Sequence, residues 1–232
     1  MDNGAMPESS AQALAQQQVY AREILSAMGY PQAAVQRVTA EQLTGIDVVP
    51  MPEIEPAGYS GLGGKRDTAF MAIDHLYNQA SRAKPLATLS TGAPFGSADV
   101  DAKACTLCFS CVGAADIPQL HFNEANCLQC GMCTRICPED AIWITPRLLF
   151  DRKARQQTRK LHEEQPFCCT ACGKPFATQS VIKNMLHKLQ GHPMFQTERA
   201  RQRLTLCEDC RVVDIVQDQE AMMTGVDTPV RQ

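Results

Sequence analysis

The residues able to do chemistry in this chain are its twelve cysteines, all of which fall between Cys105 and Cys210. One run reads Cys127-Leu-Gln-Cys130-Gly-Met-Cys133-Thr-Arg-Ile-Cys137-Pro138, the pattern C-x2-C-x2-C-x3-C-P without a mismatch. Thiolates two residues apart wrap a tight loop around one iron–sulfur cubane, letting backbone N–H groups reach its sulfides, and Gly131 adds conformational latitude there. The fourth cysteine falls beyond that loop, and Pro138 redirects the chain. Zinc knuckles rarely need a third cysteine at this spacing, so iron–sulfur is preferred to structural zinc. An earlier run, Cys105-Thr-Leu-Cys108-Phe-Ser-Cys111, repeats the first three positions but has Ala115-Asp116 where Cys-Pro would stand. Only 15 residues, Val112 to Asn126, separate the two runs.

A third set pairs Cys169-Thr-Ala-Cys172-Gly173 with Cys207-Glu-Asp-Cys210, two C-x2-C knuckles with 34 residues between them. Two such knuckles make a tetrahedral thiolate site for which zinc leads, with a third iron–sulfur cluster as the rival. Cys169, Cys172, His187 and His192 imitate a two-cysteine, two-histidine finger. The 14 residues from Cys172 to His187 are too many for it, and that choice would strand Cys207 and Cys210. Four thiolates are preferred, with both histidines at the end of a helix over 178–190. Asp116 is the nearest candidate for an open cluster position, although a hard oxygen suits iron less well than thiolate, and His121 and Cys168 are weaker ones, with a free thiol as the plain reading of Cys168.

Composition narrows the function classes. The 232 residues carry 22 Lys+Arg against 25 Asp+Glu, a net charge of −3, which gives no electrostatic pull toward nucleic acid. Nothing at the N-terminus resembles an export signal, and no apolar stretch is long enough to span a bilayer. A cytoplasmic location is expected, where thiols stay reduced and serve as metal ligands rather than disulfides. The run G-L-G-G-K-R at 61–66 fails as a phosphate loop, because Tyr59 and Arg66 stand where Gly and Ser/Thr are needed.

The elements that position the cysteines follow from periodicity. The first ten residues are small and polar and expected to be disordered. Apolar residues Leu14, Val19, Ile24, Leu25 and Met28 predict a helix over 11–30, ended by Gly29 and Pro31, with a short second helix over 31–38. Glycines and prolines make 45–64 a connector. A third helix is predicted over 67–83 from Phe70, Met71, Ile73, Leu76 and Tyr77, with His75 as a packed or solvated residue rather than a ligand. The apolar run at 142–150, with Trp143, is expected either to cover a cluster or to form a core strand. The basic stretch Arg152, Lys153, Arg155, Arg159 and Lys160 reads as a solvated helix face, with docking of an acidic redox partner as the sharper alternative.

Residues 103–150 resemble a bacterial-type dicluster 4Fe-4S ferredoxin domain. More broadly, 29–213 is similar to the C-terminal part of bacterial 4Fe-4S polyferredoxins associated with molybdenum-dependent formate dehydrogenases. That likeness is carried by G-G-K-R at 63–66, A-I-D-H-L at 72–76, G-A-P-F-G at 92–96, C-T-L-C at 105–108, P-R-L at 146–148, C-G-K-P-F at 172–176 and C-E-D-C-R at 207–211. The resemblance implies a crossed arrangement, in which Cys105, Cys108, Cys111 and Cys137 hold one [4Fe-4S] cluster. Cys127, Cys130 and Cys133 then hold a second [4Fe-4S] or a [3Fe-4S] cluster, or that cluster is lost.

The fold expected is α+β: a helical N-terminal region over 1–86, a ferredoxin-like 4Fe-4S domain over 87–150, a four-cysteine (zinc-ribbon-like) metal-binding module over 151–218 and a tail over 219–232. The expected function is electron transfer, by itself or as an accessory subunit of a larger oxidoreductase, with redox proteins as partners and no nucleic acid. A non-redox, metal-stapled scaffold or assembly factor is the alternative. No catalytic residue set emerges from the order of residues.

Overall fold

The computed structural model describes residues 8–38, 50, 52–58, 63–109, 111 and 118–218. The expectations for the first seven residues, half of the connector, Asp116 and the tail from 219 onward lie outside the described residues. In chain order the helices are α1 (Glu8–Met28), α2 (Lys65–Gln79), α3 (Met132–Ile136), α4 (Arg152–Gln156), α5 (Gln179–Lys188), α6 (Glu198–Gln202) and α7 (Glu208–Gln217). The strands are β1 (Leu86–Thr88), β2 (Gly96–Val100), β3 (Gln119–Asn123), β4 (Ile142–Leu149), β5 (Thr158–Glu163), β6 (Pro166–Cys168) and β7 (Pro175–Thr178). The architecture is α+β, with small sheets ordered β1-β4-β2, β3-β5 and β6-β7.

The chain divides into two compact units. The first comprises 1–99, 122–131 and 143–159, and the second 100–121, 132–142 and 160–232.

In the first unit, α1 begins at Glu8, inside the stretch expected to lack structure. It stops at Met28 because Gly29 takes φ +90, and the N–H groups of Gly29 and Tyr30 close back on the Ser26 and Leu25 carbonyls. This is the left-handed termination that glycine permits at no steric cost. Residues 32–34 form a single 3-10 turn rather than a longer helix. α2 begins two residues earlier than its periodicity predicts, with Asp67 accepting from the Gly64 N–H, and ends before 80. β1 pairs antiparallel with β4, Ala87 opposite Leu148. Ile24, Met28, Ile73, Ala87, Leu148 and Phe150 bury against one another, and Tyr77 stacks on Phe150 with ring centroids 4.6 Å apart. The run at 142–150 is therefore a core strand in its second half, whereas Trp143 is 50% exposed and stands outside that core.

One basic residue departs from the solvated-face expectation. Arg155 is 2% exposed, pairs with Asp74 at 2.8 Å, donates to the Leu149 carbonyl and lies over the Phe70 ring at 4.3 Å. Stem and guanidinium fill core space between α2 and β4, which only a delocalised cation with several donors can do while its charge stays paired. Arg159 likewise pairs with Asp99, at 3.3 Å. Arg152 and Lys153 are exposed as expected.

In the second unit, β6 and β7 form a hairpin, Pro166 opposite Thr178, and α5 packs on it. Thr178 caps α5 by accepting from the Val181 N–H at 3.1 Å. Arg203 of the turn after α6 reaches Asp214 and Asp218 and so ties that turn to α7.

Candidate metal centres

The hairpin loop carries the first knuckle of the four-cysteine set. Gly173 takes φ +76, its N–H donates to the Cys169 carbonyl at 2.9 Å, and the Cys169 N–H donates to the Lys174 carbonyl at 2.8 Å. A β-carbon at Gly173 would meet nothing, so glycine is required by backbone angle alone. The second knuckle opens α7, with Cys207 at its N-cap and Cys210 in its first turn. The structure brings the sulfurs of Cys169, Cys172, Cys207 and Cys210 within 4.8 Å of one another, and Cys172 Sγ lies 3.7 Å from Cys207 Sγ. Four thiolates around one ion, with bonds of about 2.3 Å, stand about 3.8 Å apart. A cubane would hold them roughly 6 Å apart. The spacing is that of a mononuclear site.

Backbone N–H groups, first that of Cys207, pull the Cys169 thiol down to about 6. Hydrogen bonds involving the Cys172 and Cys207 sulfurs push Cys210 up to about 12. One site thus mixes a ready thiolate with a thiol that an ion must deprotonate. His187 and His192 take no part: His192 accepts from the Met194 N–H at 3.3 Å, and His187 lies in the last turn of α5. Cys168, one residue from the buried Cys169, is exposed and outside the set.

The other cysteines divide by unit. Cys105, Cys108, Cys111 and Cys137 line one cavity in the second unit, together with Leu107 and Pro138. Burial pushes the Cys105 and Cys111 thiols up, and the charges of the other cysteines in this group push the same way. Thiolates gathered on one cavity in this way call for a cation to balance them. The Leu107 N–H opposes that rise at Cys105, and the Ala141 N–H donates to Cys137 Sγ at 3.4 Å. The ends of this region are joined by the Asp101 N–H donating to the Ala141 carbonyl at 2.9 Å.

Cys127 and Cys130 belong to the first unit, and Cys133 lies on α3 in the second. The two cysteine runs share a backbone signature. Leu107 (φ 51) and Phe109 (φ 59) occupy the left-handed region at the positions matched by Gln129 (φ 54) and Gly131 (φ 72). Left-handed residues alternating along a loop turn successive N–H groups inward, which makes a cradle for an anion. Holding leucine, phenylalanine and glutamine there costs about 1 kcal/mol each, strain that collects at functional sites. Both loops fit an anionic, sulfide-bearing group.

Residues 120–142 match the model of a 4Fe-4S binding domain. The match takes in Cys127, Cys130, Cys133 and Cys137 and supports a ferredoxin-type domain built on them. A search of curated proteins finds no match. Among the described residues no helix is long and apolar enough to cross a membrane.

Around the 4Fe-4S domain, sequence reading missed Arg66. From α2 it donates to the carbonyls of Cys127 (2.7 Å), Ala125 (2.8 Å) and Pro94 (2.7 Å), and its guanidinium lies 4.9 Å from the Phe70 ring centroid and 4.8 Å from that of Phe95. Burial lowers its proton affinity, and the Cys127 charge opposes that. The only signal was its place in G-G-K-R, which alone reads as a turn. Gln129 also went unremarked. Its amide donates to Cys127 Sγ at 3.3 Å and to the Ser97 carbonyl at 3.0 Å. His121, a weaker candidate, meets the Gln119 side chain at 2.8 Å instead, and His75, expected to be packed or solvated, meets the Glu55 carbonyl at 2.8 Å.

Proposed function

We propose that this is an electron-transfer iron–sulfur protein of ferredoxin type, in which Cys105, Cys108, Cys111 and Cys137 hold a [4Fe-4S] cluster. The observation that carries the reading is the convergence of these four thiols on one cavity, although Cys137 is 26 residues beyond Cys111 in the chain. Bound there, such a cluster would supply reversible one-electron chemistry. The chain's own residues govern access and charge. Cys108 is exposed, which brings this ligand set to the surface, where a partner can approach within transfer distance. Cys105 and Cys111 are half-buried, and the N–H groups of Leu107 and Ala141 offset negative charge on sulfur.

Cys127, Cys130 and Cys133 hold a second [4Fe-4S] or a [3Fe-4S] cluster in this reading, with the Arg66 cation near Cys127. Cys169, Cys172, Cys207 and Cys210 hold one zinc ion, for which the 3.7 Å sulfur separation is the support. The protein then serves as an electron-carrying or accessory subunit of a larger oxidoreductase, exchanging electrons with redox proteins and, by the resemblance at 29–213, with a molybdenum-dependent enzyme. Its place is the cytoplasm.

A second reading, a metal-stapled scaffold, draws on one observation. Val212, Val213 and Val216 of α7 are all more than half exposed, an apolar face suited to contact. Reduction separates the two. An anaerobically purified electron carrier is brown, bleaches reversibly under dithionite and shows a paramagnetic signal when reduced. Iron that stays redox-silent at low potential would favour the scaffold.

A further inference from the structure

α5 and the hairpin beside it touch the proposed cluster site at two points. Thr178, the last residue of β7 and only 1% exposed, donates from its hydroxyl to the Thr106 carbonyl at 2.7 Å. Farther along α5, Asn184 donates to the Glu139 carboxylate at 2.8 Å, and Lys188 reaches the same oxygen at 3.1 Å. Thr106 sits between Cys105 and Cys108, and Glu139 follows two residues after Cys137. One helix with its cap therefore holds both arms of the ligand set.

The Thr178 contact has a specific electronic consequence. The Thr106 carbonyl and the Leu107 N–H belong to one planar trans peptide and point in opposite directions. Fixing that carbonyl toward Thr178 aims the Leu107 N–H the other way, and Leu107 lines the cavity of Cys105, Cys108, Cys111 and Cys137, where its N–H opposes the upward push of burial on the Cys105 thiol. A carbonyl that accepts a hydrogen bond polarises its own amide and makes the N–H a stronger donor. Leu107 has φ 51, a conformation a leucine leaves readily unless something over-determines it. The Thr178 hydroxyl thus acts on the cysteine cavity through this one peptide.

We propose that Thr178 is a positioning residue for Cys105: its hydroxyl holds the Thr106–Leu107 peptide in register and thereby raises the reduction potential of a cluster carried by Cys105, Cys108, Cys111 and Cys137. Donors to cluster sulfur stabilise the more negative, reduced form. Because Thr178 closes the hairpin whose loop is the Cys169–Cys172 knuckle, the four-cysteine site and the redox site are mechanically joined. The inference rests on the electron-transfer reading above.

Purified wild-type protein, Thr178→Val and Thr178→Ser are compared for iron and sulfide per chain and for midpoint potential by a paramagnetic-resonance titration. Valine keeps the shape and loses the hydroxyl, whereas serine keeps the hydroxyl. The expected result is full iron in all three, a midpoint potential shifted downward in the valine form, and a wild-type potential in the serine form. An unshifted valine form with full iron overturns the proposal, as does a serine form shifted as far as valine. If the valine form fails to retain its cluster, Thr178→Ala is measured in its place. Loss in both with normal loading in serine supports the clamp, and loss in serine as well overturns it. Wild-type protein lacking iron and sulfide would instead defeat the electron-transfer reading, and that outcome is told apart by the analysis of wild type alone.

Discussion

Arg66 donates to the carbonyl of Cys127 at 2.7 Å, so a cation on α2 holds the start of a cysteine loop 61 residues further along the chain. Two more carbonyls and two aromatic faces complete its environment, and no carboxylate is among these contacts. A guanidinium fits because its planar fork can serve three acceptors at fixed angles, which an ammonium on a flexible stem cannot. Arg66→Lys is therefore not conservative here. It is expected to lower unfolding free energy by about 3 kcal/mol, the loss of two or more hydrogen bonds from a charged donor. Urea denaturation of the pure protein measures this, and a lysine variant within about 0.5 kcal/mol of wild type would remove the role assigned to the fork.

Arg155 and Asp74 give a prediction with opposite signs of severity. Removing the carboxylate by Asp74→Ala leaves a cation buried without its partner, which costs about 3–5 kcal/mol. Replacing the cation by Arg155→Met keeps the volume over Phe70 and strands only Asp74, which reaches solvent. The methionine variant is expected to be clearly the more stable of the two in the same denaturation experiment. Equal losses would show that the pair acts as packing rather than as charge.

The contrast between these arginines marks where sequence legibility ends. Spacing alone separates the three cysteine sets, since ligand geometry is a local property of a short loop, and the periodicity of Leu14 through Met28 locates α1 because an amphipathic face repeats along the chain. The Gly29 stop is equally local. By contrast, Arg155 sits in a basic stretch whose composition matches any solvated helix, and its burial depends on Asp74, 81 residues away. Thr178 reads as a helix start, which it is, but its hydroxyl also serves Thr106, 72 residues back. Trp143 is equally ambiguous, because a strand with one buried half and one exposed half has no pattern that says which is which. Tertiary partners carry these roles, and a linear pattern does not encode them.

The four-cysteine set predicts a clean separation between neighbouring thiols. Cys207→Ser removes a sulfur that is fully buried within the set, and Cys168→Ser removes an exposed one outside it. The first is expected to lose about one equivalent of zinc per chain while keeping its iron, and the second to lose neither. Elemental analysis of both proteins decides. Retention of zinc by Cys207→Ser, or its loss from Cys168→Ser, would place the ion elsewhere.

Proton competition at that site follows from its mixed thiols. At neutral pH Cys169, at about 6, is largely ionised, whereas Cys210, raised to about 12, still holds its proton. Binding an ion must expel the Cys210 proton, so affinity rises with pH across the range from about 6 to 8. Zinc competition titrations at three pH values under reducing conditions check the sign. An affinity independent of pH would contradict a ligand set containing Cys210.

Cys137 is the residue on which the crossed ligand set turns, and the most direct test is iron and sulfide per chain with resonance spectroscopy on oxygen-protected Cys137→Ala beside wild type. The account predicts that wild type carries acid-labile sulfide and that the variant loses the signal belonging to the Cys105–Cys111 loop more than any signal from Cys127, Cys130 and Cys133. Loss confined to the latter, or a wild-type protein holding zinc without sulfide, would contradict it.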